Sequence, residues 1–310
     1  MPELPSVTVY VEHLVRRIVG DTLERVVVAS PFVVRTYDPP IDAAHGRRVV
    51  GVGRLGKRIV VALDDELHLI IHLMVTGRFR WQDREPGAAA VGPPRKVGLA
   101  AFQFTRGTLV LTEQGSKRRA SIHLVRGADA VAELDRGGLE VASATAEEFR
   151  EAIQRENHTL KRTLSDPRFL SGIGNAYSDE ILLRARLSPL QHSQKLSSEQ
   201  VERLRMVTLE TLQEWVQRLR EESGDQFPKK VTAFHPKMAA HGKYGEPCPQ
   251  CGTPIQRIRY ADNESNYCPS CQTGGKLLAD RSLSRLLKGD WPRSVDELEE
   301  MRQPRIAEGD

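Results

Sequence analysis

The hydrophobic rhythm of the chain changes twice along its length. Val7, Tyr10, Val11, Leu14 and Ile18 recur at the spacing of one helix face, and Gly20 stands where a helix C-cap belongs. An amphipathic helix over 7–18 is therefore expected directly behind the amino terminus, anchoring that terminus to a core. From Leu23 to Val125 the texture becomes short β-type runs at 26–28, 49–52, 59–63, 68–73, 99–104 and 108–111. Asp64-Asp65 and Arg106-Gly107 read as hairpin turns. This half predicts an antiparallel sandwich or barrel, interrupted from Trp81 to Val97 by a mobile connection rich in Gly, Ala and Pro.

A link over 127–146 follows, with Gly137-Gly138 inside it, and then the apolar period becomes helical. The candidate helices are 147–157, 160–164, 175–186 and 198–222. The last opens with a Ser197-x-x-Gln200 capping box and would bury Val201, Leu204, Leu212, Trp215 and Leu219. A polar loop over 221–238, a cysteine module and a charged tail close the chain. The fold class expected is α+β multidomain. An N-terminal antiparallel β-sandwich with its flanking helix takes 1–126, a linker 127–146, a helical domain 147–240, a cysteine module 241–272 and a C-terminal extension 273–310.

With 310 residues, 39% hydrophobic and 28% charged, the makeup is that of a globular protein of two or three domains. No run approaches the roughly 18 apolar residues of a membrane span, and the amino terminus lacks the basic-then-apolar pattern of a signal peptide. A cytoplasmic, nucleoid-associated location without membrane contact is the expectation. The net charge of +4 permits a nucleic-acid partner without demanding one. Its distribution says more. Basic clusters at Arg16-Arg17, Arg47-Arg48, Lys57-Arg58, Lys117-Arg118-Arg119, Lys161-Arg162 and Arg257/Arg259 lie mostly in or beside turns, where several could face one polyanion. Any one of them alone reads as a solvated face.

The candidate chemistry starts at Met1-Pro2-Glu3-Leu4-Pro5. An initiator methionine before a small residue is readily removed, so the mature chain is expected to begin at Pro2 with a free secondary amine. Such an α-amine titrates near roughly 8, against about 10.4 for lysine, and is a usable nucleophile at neutral pH. Its attack on a sugar carbon leaves an iminium that serves as an electron sink. Glu3 places a carboxyl beside it for proton transfer. In isolation the triplet is better read as a processing signal, so its meaning depends on whether the rest of the chain builds a site around it.

Cys248-Pro-Gln-Cys251 and Cys268-Pro-Ser-Cys271 use all four cysteines, with residues 252–267 between the pairs. That spacing fits tetrahedral thiolate ligation of one structural zinc ion, favoured here over two disulfides. The site would present a hairpin over 253–267 carrying Arg257 and Arg259. Farther upstream, Ser171-Gly172-Ile173-Gly174-Asn175 runs into a helix start. Unpaired amides there, with Asn175 and a reaching Lys161, make a phosphate clamp that positions DNA without reading its sequence. Lys57 begins an apolar strand and could bind a phosphate or lower the pKa of a nearby amine by like charge. Met74, Val75 and Arg118 lie at strand ends or turns where a wedge into a duplex would be useful, although core packing or surface charge explains each taken singly.

Met1-Pro-Glu-Leu-Pro5, Lys57 at its strand start, Ile71-His72-Leu73, Leu160-Lys161 before Gly172-Ile-Gly-Asn175-Ala-Tyr177, and Gly245-Glu-Pro-Cys248 to Cys271-Gln272 occur in one order. In that order the sequence resembles the formamidopyrimidine-DNA glycosylase and endonuclease VIII family over about residues 2–272. The resemblance implies a β-sandwich, a helix-two-turn-helix domain and a zinc-finger hairpin, with DNA in a cleft between the lobes. It further implies excision of oxidised bases from damaged double-stranded DNA, followed by strand cleavage through β,δ-elimination. Pro2 would attack the anomeric carbon of a flipped nucleotide, Glu3 would handle the proton on the sugar, and Lys57, Lys161 and Asn175 would hold phosphates. A monomer is expected.

Departures from the family pattern are equally specific. Asn263 stands where the finger usually carries a phosphate-gripping arginine, leaving Arg257 or Arg259 to substitute. Ser6 replaces a common second glutamate, Val75 replaces the usual wedge methionine beside Met74, and Ala120 replaces a phenylalanine two places after the retained Arg118. A divergent branch is implied. Two further readings remain open: a DNA-damage or structure-binding protein of the same fold without catalysis, and an RNA-associated zinc-ribbon protein that leaves the terminus unused.

Overall fold

The computed structural model describes residues 1–85, 88–115, 117–229, 231–232, 234–260, 263–279 and 292–302. The chain divides into two compact units, Met1–Glu140 with Leu212–Ala233, and Val141–Thr211 with Phe234–Asp310.

In the first unit, α1 spans Leu4–Ile18 and starts earlier than its apolar spacing suggests. Glu3 is its extended N-cap, and Pro5 sits in the first turn, where a missing N–H costs no helical hydrogen bond. The buried stripe is Val7, Tyr10, Leu14 and Ile18. Eight strands and a short helix follow: β1 Thr22–Val28, β2 Arg47–Leu55, β3 Arg58–Leu63, β4 Leu67–His72, β5 Gly77–Asp83, β6 Gly98–Phe104, β7 Gly107–Glu113, β8 Ser121–Arg126 and then α2 Ala128–Ala132. The strands lie in one sheet. They pair in the order β5-β7-β6-β1-β2-β3-β4-β8, antiparallel throughout.

The seam between β1 and β2 is only Thr22↔Arg48 and Leu23↔Arg47. On either side of it stand two four-stranded ladders. Phe79, Phe102, Leu109 and Leu111 from one and Ile59, Val61, Leu69, Ile71 and Ile122 from the other share a single core with α1. The sheet therefore folds on itself as a sandwich. Period-two burial explains the alternation, for Ile59, Val61 and Leu63 are buried while Arg58, Val60 and Ala62 are half-buried.

The stretch expected to be a connection from Trp81 onward begins instead inside β5, where Trp81, Gln82 and Asp83 pair with Leu109, Thr108 and Gly107. Alternating arginines at 78 and 80 hide this strand from an apolar-run reading. Gly107 is required there, since a Cβ would lie 2.3 Å from the Trp81 ring.

In the second unit, α3 (Ala146–Gln154) begins with a Thr145/Glu148 capping box that the apolar spacing did not reveal. Next come α4 Leu160–Ser165 and α5 Asn175–Ala185. Helix α6, Ser198–Ser223, gives its first half to this unit and its second half to the other. Its expected capping box is present: Gln200 N–H donates to Ser197 Oγ at 3.2 Å, and Ser197 N–H donates to Gln200 Oε1 at 3.0 Å. The strands β9 Gln256–Tyr260 and β10 Asn263–Tyr267 form the expected hairpin, followed by α7 Pro269–Thr273 and a last helix at Val295–Arg302. Among the described residues no helix is long and apolar enough to cross a membrane.

Asp179 of α5, fully buried, organises this unit. Lys161 Nζ donates to its Oδ1 at 2.6 Å and Ser265 Oγ at 3.1 Å, while His241 Nδ1 and Asn266 Nδ2 reach its Oδ2 at 2.8 and 3.2 Å. Burial alone would push the carboxyl up, yet Lys161 and His241 overcome it and hold the pKa below the ordinary 3.8. The adjacent Glu180 accepts the backbone N–H groups of Ala239, Ala240 and His241 at 2.8–2.9 Å. Burial raises its pKa, with those three donors opposing.

Asp179→Ala strands the Lys161 charge in a dry site and should cost about 3–5 kcal/mol, read by urea unfolding. A folded pKa below the unfolded one means that Asp179 stabilises above about pH 3.8 and loses that contribution as pH falls further. The deficit of the variant should therefore shrink in strong acid.

Candidate active site

The amino terminus is built into the first unit. Pro2 is buried and Glu3 is 2% exposed, its carbonyl accepting the Val7 N–H at 2.9 Å as α1 begins. Lys57 sits in the turn from β2 to β3, next to Gly56 at φ +59°. The free amine in this structure belongs to Met1, one residue ahead of the Pro2 nitrogen that removal of Met1 would release. Burial lowers that amine from 8.0 to about 6, against the pull of Glu3 and with help from Arg78 and Lys57. Burial also depresses Lys57, again opposed by Glu3. The terminus, Glu3 and Lys57 thus form one electrostatic group. Arg78, with no motif around it, escaped the sequence reading.

His72 lies opposite Arg58 in the β3–β4 ladder. Burial, then Arg58, Lys57 and His123, lower it to about 4, so it is neutral at physiological pH.

Two turns carry the wedge candidates. Met74 adopts φ +52° and Val75 is 53% exposed at the tip. Gly77 closes this turn, since a Cβ would stand 2.1 Å from the Leu73 carbonyl oxygen. Arg118 lies exposed on the second loop and donates Nη2 to the Lys96 carbonyl at 2.6 Å. Both turns hang from one buried acid, Glu113. Thr76 Oγ1 donates to its Oε1 at 3.2 Å, and the N–H groups of Arg119 and Ala120 donate to its Oε2 at 2.9 and 3.0 Å. The only trace of Glu113 in the sequence is a carboxylate closing an apolar run.

In the second unit, Gly172 at φ +80° turns the chain and Gly174 caps α5 in an extended conformation. Asn175 is half-buried at the helix start, the positive end of the α5 dipole, which favours an anion. Lys161 is only 4% exposed, and its Nζ donates to the Asn175 carbonyl and to Asp179, both at 2.6 Å. The residue expected to reach a phosphate is here drawn inward and braces the loop.

The four cysteine sulfurs lie within 4.8 Å of one another, with Cys251 and Cys268 at 3.4 Å and Cys248 and Cys271 at 4.0 Å. All four are free thiols, much farther apart than a disulfide allows. A tetrahedral ion with Zn–S of about 2.3 Å spaces its sulfurs by roughly 3.8 Å, so the quartet fits one structural zinc. On the hairpin, Arg257 lies 4.2 Å over the Tyr244 ring and 3.9 Å from Glu264. Asn263 and Arg259 are exposed near the tip, Asn263 opposite Tyr260 and Arg259 opposite Glu264.

Residues 1–120 match the formamidopyrimidine-DNA glycosylase N-terminal domain, 139–226 its H2TH domain, and 245–274 the zinc finger found in FPG and IleRS. Formamidopyrimidine-DNA glycosylase of Thermus thermophilus is 32% identical over 279 residues, spanning 89% of this chain and all of that relative. The chain belongs to the formamidopyrimidine-DNA glycosylase family. The crystal structure of the MutM (Fpg) protein from Thermus thermophilus superposes with a TM-score of 0.73 at 31% identity, covering 87% of this chain and 98% of that one. A structure of MutM in complex with carbocyclic 8-oxo-G containing DNA gives 0.76 at 25% identity, over 88% of this chain and 100% of the other. The α+β architecture, the helix-two-turn-helix region and the zinc finger are those of the family.

Removing zinc with a chelator should release the hairpin while the first unit stays folded. Hydrogen exchange reads this directly: amides of β9 and β10 should lose protection and those of β6 and β7 keep it. Equal loss in both would contradict a purely local role for the metal.

Proposed function

We propose that the protein excises damaged, oxidised bases from double-stranded DNA and then cuts the abasic strand, with Pro2 as nucleophile. It is a DNA glycosylase and AP lyase by family, and the observation that carries the residue assignment is the buried amino terminus held against Glu3 and Lys57.

Burial, Arg78 and Lys57 lower the Met1 amine, and a Pro2 amine released in the same surroundings is favoured in its unprotonated form, with its lone pair kept for attack. As the Pro2 nitrogen bonds to the anomeric carbon, the bond from that carbon to the base breaks and the base leaves with the electron pair. The amine proton is lost, and protonation of the ring oxygen opens the sugar to the iminium. Glu3, at the helix start beside Pro2, is the group placed to move that proton. Loss of a proton from the adjacent carbon then expels the 3′ phosphate, and a second elimination expels the 5′ phosphate. Lys57 supplies a cation for a flanking phosphate. The Gly174–Asn175 turn sets the positive end of α5 toward another, with Lys161 bracing it. Zinc, when bound, takes no part in bond breaking and holds the Arg257–Arg259 hairpin in shape. Action as a monomer in the cytoplasm belongs to the same reading.

A non-catalytic lesion-binding role is the alternative, favoured by Asn263, Val75 and Ala120 at positions that grip or probe the damaged site. The two readings separate in one experiment. Borohydride should trap a covalent adduct with abasic or oxidised duplex, and Pro2→Gly should abolish it; binding with no adduct on any such duplex would establish the alternative.

The charge of Lys57 lowers the amine pKa, so Lys57→Gln should raise it. The acidic limb of the trapping profile then moves to higher pH, and the variant loses more activity at pH 6 than at pH 8. A parallel loss at both would show that Lys57 acts on phosphate alone.

A further inference from the structure

The zinc-finger match ends at residue 274, and the described residues beyond it return to the finger. Gly274 leaves α7 at φ +62° and Gly275 follows at φ +86°, turning the chain back on the helix it has just left. Gly275 N–H donates to the Pro269 carbonyl at 3.1 Å, and Thr273 Oγ1 donates to the Lys276 carbonyl at 2.5 Å. Leu278 N–H then donates to Tyr267 Oη at 2.8 Å. On the other side, Lys276 pairs antiparallel with Ser294, and Leu277 N–H donates to the Arg293 carbonyl at 3.0 Å. That partner is itself fixed at the start of the last helix, where Glu297 N–H donates to Ser294 Oγ at 3.2 Å and Arg293 N–H donates to Glu297 Oε2 at 2.7 Å.

Both ends of the second cysteine pair are thereby held. Tyr267, 1% exposed, closes β10 immediately before Cys268, and Thr273 closes α7 shortly after Cys271. A buried phenol oxygen calls for a hydrogen-bond partner, and here the partner is the backbone of the segment that follows the finger. Gln272 grips the same arm from the helical side, donating Nε2 to the Leu187 carbonyl at 2.8 Å and accepting the Cys268 N–H at 2.8 Å. Cys251 is exposed and Cys268 is buried, so a competing ligand enters at the first pair. Zinc is lost only when the arm carrying Cys268 and Cys271 also swings clear. That swing has to carry Tyr267 and Thr273 with it, against the bonds made by residues 276–278.

We infer that residues 276–278, seated against 293–294, form a clasp that retains zinc in the finger by holding the Cys268–Cys271 arm closed. The clasp sets how fast the ion is lost to a competing chelator. Tyr267 is its positioning residue, acting on the metal through the cysteine that follows it. None of this depends on catalysis, so the clasp and the glycosylase reading stand or fall separately.

The test uses the full-length, zinc-loaded protein and an excess of pyridylazoresorcinol, whose zinc complex is followed by absorbance. Tyr267→Phe keeps the ring and removes the acceptor, while Leu278→Pro removes the donor. Each should speed zinc release about fivefold, the effect of one lost hydrogen bond. The double variant should release zinc no faster than the quicker single one, because both substitutions remove the same bond. Hydrogen exchange in β6 and β7 checks that each variant is folded. Release within about twofold of wild type in both single variants would overturn the inference. Full additivity in the double variant would overturn it too, since each substitution would then be loosening only its own surroundings.

Discussion

A carboxylate shut away from water keeps its charge only if the protein replaces every hydrogen bond that water would have made. Asp179 is in that position, and its four partners come from α4, from the 234–242 segment and from β10. Removing any one partner leaves an unsatisfied group, so the network enforces a single arrangement of pieces far apart in sequence. The turn before α5 and the zinc hairpin are both fixed through it. Lys161 braces the Asn175 carbonyl from within, and Ser265 and Asn266 bind the hairpin to the same atom pair. The metal shapes the cysteine end of the hairpin; the acid joins the hairpin to the helices.

The first unit uses the same device on a smaller scale. Glu113 collects three donors from two turns, and Asp21 accepts the N–H groups of Thr22 at 2.8 Å and Arg106 at 3.1 Å. These acids are 1% and 7% exposed. Loops with few apolar contacts have little else to define them, and a buried acceptor compensates for the entropy that ordering them costs. Such anchors let function sit on turns while the sandwich core supplies rigidity.

How much of this was legible in the sequence follows from what each feature depends on. The β-runs, the four helices, the Ser197–Gln200 cap and the cysteine quartet rest on local spacing, and local spacing is what a sequence displays. Pro2, Glu3 and Lys57 could be named because each belongs to a short motif. The neighbours that tune them could not. Arg78 comes from a strand masked by its own arginines, while Asp179, Glu180 and His241 meet only after segments some sixty residues apart are folded together. Lys161 shows the difference well: its type suggested an outward grip on phosphate, and only the position of Asp179 reveals that it points inward.

The suspension of both turns from Glu113 bears on how such an enzyme diversifies. At the first tip the Val75 side chain takes no part in the tether, which acts on Thr76 and on the backbone of Arg119 and Ala120. That exposed side chain is therefore interchangeable at little cost to foldability. A lineage can trial new probes for new lesions on an unchanged mount, and Val75 is what such a history would leave behind.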